Sequence, residues 1–365
     1  MKKIVIKIFF FTLPLLVCVV LEGFLPSSTY TYRPWEALMF QTEFSLSRKF
    51  HPNVQLNMVS SGELCHHTNY SVDKNVIWKT DKLGNRNDTH IESPDILIIG
   101  DSFVAGIAVT QDSTLTNQLQ SLLADRATVY NIAPATFSKI DSYLRLNRIK
   151  KPKTIIYEFG ERGIPKPFKF ANIPPRSFRS KAKSIIQNSH FFTHVTIIMD
   201  KILRQYSLEW IRARILKKTG EGIPGVEGSK MFFYQGKDYK FLHNHLEEIT
   251  HNILTYKEYC DSINCNFLLL PMPSKETVYY DYVPFEKQSD YLFKLDSLLE
   301  QNGVKSINAL QIYNKHRENN TSLLYHLDDT HWNSTGVNLV AKEIANTLYE
   351  DLDNTITAST IQQSE

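Results

Sequence analysis

The chain reads as an α/β protein built on a parallel sheet, and three observations predict this. Compact apolar runs, such as Ile96 to Ile99, have the length and composition of strands buried on both faces. Segments with helical spacing of leucine and isoleucine alternate with those runs. The links between them are short, as expected of right-handed crossovers. Length and composition agree. The chain has 365 residues, 42% hydrophobic and 22% charged, which excludes a disordered, collagenous or disulfide-scaffold protein. A formal charge of +3 is too mild to make nucleic acid the expected partner.

The N-terminus sets the expected compartment. Lys2 and Lys3 precede the apolar stretch 8–21, with Lys7 at its edge. No small-residue cleavage site follows, so residues 1–27 are expected to be an uncleaved signal anchor, a single-pass transmembrane helix. The lysines would keep the N-terminus in the cytoplasm and place the body on the extracytoplasmic, periplasmic side of the inner membrane. Leu15-Leu16-Val17-Cys18 is a poor lipoprotein site because Val17 is bulky. In an oxidising compartment Cys260 and Cys265 are close enough in sequence to pair, with Cys65 left over; two reduced, buried thiols are the favoured reading. Cys65-His66-His67 has no second ligand pair at zinc spacing and is read as a surface turn.

Residues 28–92 form a mixed N-terminal extension, with a β-like run at Val76 to Trp78 and a turn at Leu83-Gly84-Asn85-Arg86. The main domain is expected over 93–352. Its first strand is Ile96 to Ile99. A helix follows over 112–127, with Leu115, Leu119, Leu122 and Leu123 in register and Asp112 or Ser113 as cap. A second strand covers 128–132, a second helix 137–149 and a third strand 153–159. Prolines 165, 167, 174 and 175 then break the pattern. Residues 176–218 hold ten Lys/Arg against Asp200 and Glu209, so a basic helical insertion is expected over about 165–228. It is read as a solvated face over a packed stripe, with a membrane surface or an anionic polymer as the functional alternatives. The sheet pattern resumes with a helix at 245–260, a strand at 266–270, a helix at 289–301, a fifth strand at 306–310 and a closing helix at 336–349. The polar end, 353–365, is expected to be a flexible tail.

Chemistry concentrates at strand ends. Gly100-Asp101-Ser102 follows the first buried strand, at the sheet edge where α/β proteins bind ligands. Ser102 can present its hydroxyl there, and amides of the following turn can hold an oxyanion. Asp328-Asp329-Thr330-His331-Trp332 precedes the last helix. A serine nucleophile needs a base, and a histidine oriented by a carboxylate supplies it. Asp329 is the expected carboxylate, with Asp328 as the alternative acid. Lys275, after the fourth strand, could fix a carboxylated sugar, the bland alternative being a solvated loop lysine.

These residues carry a resemblance. Gly100-Asp101-Ser102 and the Asp-x-His before the last helix resemble the SGNH/GDSL hydrolase superfamily. Asp329-Thr330-His331-Trp332, Pro271-Met272-Pro273-Ser274-Lys275 with Tyr279, and Glu158-Phe159-Gly160-Glu161-Arg162 are similar to the alginate O-acetyltransferase (AlgX/AlgJ-like) branch. The resemblance implies a flavodoxin-like three-layer fold and Ser-His-Asp acyl transfer without metal or dissociable cofactor. It makes Asp101, Thr136, Arg162, Lys275 and Trp332 candidates for oxyanion or substrate binding. Thr136 stands where the superfamily has a glycine, and Arg162 where it has an asparagine. Arg162 could replace the missing donor, bind the acceptor, or pair with Glu158 or Glu161. The Asp-x-His block follows the serine block, as in ordinary SGNH enzymes and unlike the alginate proteins. The implied function is O-acetylation of a polysaccharide, with a membrane-bound protein as acetyl donor. A carbohydrate acetylesterase and a non-catalytic glycan-binding or assembly subunit are the alternatives.

Overall fold

The computed structural model describes residues 2–24, 35, 38–41, 48–65, 70–170, 222–234, 239–283 and 288–362. Most of the expected basic insertion, together with His66 and His67, lies outside the described residues.

The apolar N-terminal stretch forms helix α1 (Lys2–Phe24), with Ile4, Ile6, Ile8, Phe9, Phe10 and Phe11 exposed. Among the described residues no helix is long and apolar enough to cross a membrane.

Strands β1 (Met39–Gln41) and β2 (Arg48–Phe50) pair antiparallel, as do β3 (Gln55–Ser60) and β4 (Lys74–Lys79). The central sheet begins with β5 (Ile96–Ile99), all four residues buried. Full burial of each such side chain contributes about 1.5–3 kcal/mol, which is why an unbroken aliphatic run occupies the middle of the sheet. Next come α2 (Leu115–Leu123), β6 (Val129–Asn131), α3 (Lys139–Arg145) and β7 (Thr154–Gly160). The cap of α2 is Thr114, whose hydroxyl accepts from the Asn117 amide, rather than Asp112 or Ser113. The small pair β8 (Gly222–Pro224) and β9 (Phe232–Tyr234) follows. Helices α4 (Tyr239–Asn244) and α5 (Leu246–Ser262) lead into β10 (Asn266–Met272). The chain closes with α6 (Lys275–Val278), α7 (Tyr291–Gln301), β11 (Lys305–Ser306), α8 (Ala309–Asn319) and α9 (Ser334–Gln362).

The five central strands are parallel and lie in the order β11-β10-β7-β5-β6. Strand order reverses between β5 and β7. A parallel sheet opens a crevice at the carboxyl ends of its strands at such a switch point. Gly100 and Gly160 stand at those two ends, so the topology sets the Ser102 turn beside the Arg162 turn.

Two expected elements differ. The strand over 306–310 is only Lys305–Ser306, because Asn308 caps a helix by accepting from the Gln311 amide. The closing helix continues through 353–362, which the sequence leaves as a tail. Helix α9 is tied to α2 by Asn338 to Gln118 (2.7 Å) and Tyr349 to the Leu122 carbonyl (2.7 Å). Cys260 and Cys265 are free and buried, as the reduced-thiol reading has it, and Cys65 is buried as well. Cys65 is therefore not on a surface turn; it packs with Leu64 and Phe232.

Candidate active site

Ser102 sits in the tight turn leaving β5. Gly100 is required there: an added Cβ would lie 2.3 Å from Glu158 Oε2 and 2.9 Å from the Glu158 carbonyl oxygen. The turn is built by local hydrogen bonds. The Phe103 amide donates to Asp101 Oδ1 (2.9 Å), and the Ala105 amide to the Asp101 carbonyl (3.0 Å). The Asp101 amide donates to Glu158 Oε2 (2.9 Å), pinning the turn to β7. Burial, then the neighbouring Asp101 carboxylate, raises the Glu158 pKa well above the carboxylate range. The Ser102 amide has no hydrogen-bond partner among the described residues.

Behind this turn lies Arg86, which the sequence places in a plain turn. It is fully buried over the Trp78 ring (3.8 Å). Its guanidinium donates to the carbonyls of Ala105, Gly106, Ile77 and Val109 and to Gln111 Oε1. Five donors in a planar fork suit this role, and a lysine could not reproduce it. Gly106 has a φ of +73°, and a Cβ there would meet Arg86 Nη1 at 2.8 Å.

The Asp-x-His loop meets Ser102 from the other end of the chain. His331 Nε2 lies 2.8 Å from Ser102 Oγ, and Nδ1 lies 2.6 Å from Asp329 Oδ1. Asp329 Oδ1 also accepts from the His331 amide (3.0 Å), and Oδ2 from the Glu63 amide (3.3 Å). Burial by itself lowers an imidazole pKa; here the Asp329 carboxylate, then Glu63, outweighs it and holds His331 above its ordinary value. Burial works to raise Asp329, but the facing imidazole and Lys74 keep it well below the carboxylate range.

Asp328, the alternative acid, is engaged elsewhere. Its carboxylate accepts from the Gly62 amide (3.0 Å), the Val72 amide (2.7 Å) and the Lys74 ammonium (2.7 Å). That ties the loop to the β3–β4 hairpin and leaves Asp329 as the only one of the two that holds the histidine.

Lys275 is not a surface residue facing substrate, which corrects both readings of it. It is 0% exposed, and its ammonium donates to the carbonyls of His326 (2.6 Å), Leu327 (2.8 Å), Phe232 (2.8 Å) and Asp329 (3.2 Å). Burial pushes its pKa down to about 8. It fastens the loop that carries Asp329 and His331.

A cavity of about 270 Å³ opens over Ser102 and His331. Its walls include Trp35, Glu63, Asp101, Glu161, Arg162 and Thr330. Arg162 faces the cavity as expected, but its guanidinium is paired with the buried Glu276, not with Glu158 or Glu161. Glu161 accepts from the Ser274 amide (2.7 Å) and the Thr277 hydroxyl (2.7 Å), and burial raises its pKa to about 7. Two candidates fall away from the cavity. Thr136 is exposed beyond it, because the chain after β6 folds against β5 through the Ala135 amide and Gly100 carbonyl (2.9 Å). Trp332 is buried in the core, edge-on to Phe103 and bridged to Tyr325. Trp35 and Glu63 come from the N-terminal extension, and no motif announces them in the sequence. Glu63, Asp329 and His331 bring ligand-type atoms within 4.8 Å of one another, but both ring nitrogens of His331 are already engaged.

A buried aspartate, an imidazole and a serine hydroxyl in one hydrogen-bonded line, at the switch point of a parallel sheet, define a site of acyl-transfer type. Residues 231–364 match the family described as SGNH hydrolase-like domain, acetyltransferase AlgX. Over those residues, less than half of its length, the chain is similar to an SGNH hydrolase-like domain of the AlgX type, in keeping with acyltransferase or esterase chemistry at the site. No curated protein matches it. Solved structures similar to it include TesA, at 11% identity over 69% of this chain and 97% of that one, TM-score 0.35. Another is the psychrotrophic esterase EstA from Pseudoalteromonas sp., at 13% identity over 72% and 100%, TM-score 0.35. A third is a catalytic mutant of Axe2, an acetylxylan esterase from Geobacillus stearothermophilus, at 12% identity over 70% and 95%, TM-score 0.35.

Proposed function

We propose that the chain is an extracytoplasmic O-acetyltransferase that moves acetyl groups onto polysaccharide hydroxyls through an acyl-enzyme on Ser102. The observation that carries the reading is the line Asp329–His331–Ser102, with contacts of 2.6 and 2.8 Å, opening on a cavity. His331 Nε2 takes the Ser102 proton as Oγ attacks the carbonyl carbon of an acetyl ester. Asp329 holds Nδ1–H and stabilises the imidazolium that forms. The Ser102 amide faces the developing oxyanion. Collapse expels the donor alcohol, which leaves with the proton from His331. A sugar hydroxyl then gives its proton to His331 and attacks the acetyl carbon. The ester passes to the sugar and Ser102 is restored.

The compartment and the partners belong to the same proposal. Lys2, Lys3 and Lys7 beside the exposed apolar side chains of α1 support a helix that brings the body to the cytoplasmic membrane, with the site on its far side. Acetyl groups made in the cytoplasm would then reach Ser102 through a membrane-bound donor protein. The test supplies an acetyl ester and a polysaccharide acceptor and measures acetylated sugar against free acetate. Transfer predicts that acetylated sugar dominates at saturating acceptor. Dominant acetate release makes the chain an acetylesterase. Glycan binding without turnover makes it a binding subunit.

A further inference from the structure

The cavity has a second wall that the triad does not use. Trp35 and Glu63 stand on it, with Asp101 beside Ser102. Both come from the segment before the central sheet, outside the family-matched residues 231–364. Glu63 is fixed in place, accepting from the Thr330 hydroxyl and donating its amide to Asp329. An indole and a carboxylate lining one cavity make a surface for a sugar ring. The indole covers the apolar C–H face, and the carboxylate accepts from ring hydroxyls.

The charges on the wall select among sugars. Glu63 and Asp101 bring carboxylates to the cavity. The cations nearby are already engaged: Arg162 by Glu276, Lys275 by four carbonyls, and His331 by Asp329. A uronate carboxylate would enter against like charge, whereas a neutral sugar meets acceptors for its hydroxyls and an amino sugar adds a favourable cation.

Building on the transferase reading, we propose that Trp35 and Glu63 form the acceptor subsite, and that it takes a pyranose without a carboxylate. The test uses the full chain, p-nitrophenyl acetate as donor, and three acceptors: xylo-oligosaccharide, glucosamine oligosaccharide and oligogalacturonate. Acetylated product is read by mass spectrometry. The xylo- or glucosamine arm should exceed the uronate arm at least tenfold in kcat/KM. Trp35→Ala should raise the half-saturating acceptor concentration at least tenfold and lower the ratio of transfer to acetate release. Glu63→Gln should narrow the discrimination against uronate at least threefold. Calorimetric binding of the same sugars to Ser102→Ala protein, with and without Trp35→Ala, reads the subsite whether or not transfer occurs. If that binding shows the same preference and Trp35 dependence while transfer fails, the transferase reading falls and the subsite stands. The proposal is overturned if uronate is bound or used as well as the others. It is equally overturned if no sugar binds, or if Trp35→Ala lowers transfer and acetate release in equal proportion without weakening binding.

Discussion

His331 Nε2 lies 2.8 Å from Ser102 Oγ, although 229 residues separate the two in the chain. Ser102→Ala should therefore lower acetyl-ester turnover by about 10⁴-fold or more while leaving the fold intact. A phosphonate ester should label the native protein at Ser102 and leave the variant unlabelled, as intact-mass spectrometry would show. Turnover surviving in the variant would remove Ser102 from the chemistry.

The rate should rise with pH, because His331 acts only when neutral. Asp329 and Glu63 hold its pKa above the ordinary value of 6.5, so the acid limb of kcat/KM should lie above that value. Asp329→Asn removes the larger raising charge. The limb should then move down in pH, and the maximal rate should fall by about 10⁴-fold. A limb that stays in place would show that another group controls it.

The two adjacent aspartates should separate in their effects. Asp328→Asn weakens a buried pair with Lys74, and its cost should appear in stability, about 3 kcal/mol by denaturant unfolding. The surviving folded enzyme should keep most of its kcat. The reverse pattern, with Asp328 controlling the rate and Asp329 the stability, would contradict the assigned geometry.

Lys275→Met should act on kcat more than on KM, because the lysine touches the loop and not the cavity. Four carbonyls lose their donor, so a fall of about ten- to a hundredfold in kcat is expected, with a lower Tm. Lys275→Arg should not restore the rate, since a planar fork does not fit a pocket shaped for a point charge. A change confined to KM would return Lys275 to substrate binding.

Gly100→Ala should destabilise the protein by about 1–3 kcal/mol and lower the rate, because the new methyl meets the Glu158 carboxylate and backbone. Gly163→Ala is the control, its nearest contact being 3.1 Å to a single carbonyl oxygen. Equal effects at the two positions would remove the special role of the turn after β5.

Strands and helices of the sheet were legible because their signals are local. Ile96 to Ile99 had to be buried on both faces, and the leucines of α2 recur at helical spacing whatever surrounds them. Ser102 and His331 were legible for the same reason, each lying in a short motif at the end of an element. The helix over 309–319 was missed because its start depends on one capping side chain, Asn308, within a polar run.

The chain alone established which side chains can do acyl transfer and which strands carry them. It left open what each polar group touches, because hydrogen bonds between distant segments have no periodicity to read. Only the tertiary structure decided between Asp329 and Asp328, since both precede His331 and only the packing of Gly62, Val72 and Lys74 consumes one of them. It likewise turned Lys275 inward, where four carbonyls replace the water that a charged amine otherwise requires. And it brought Trp35 and Glu63 to the cavity, although both precede the central sheet in the chain and lie far in sequence from His331.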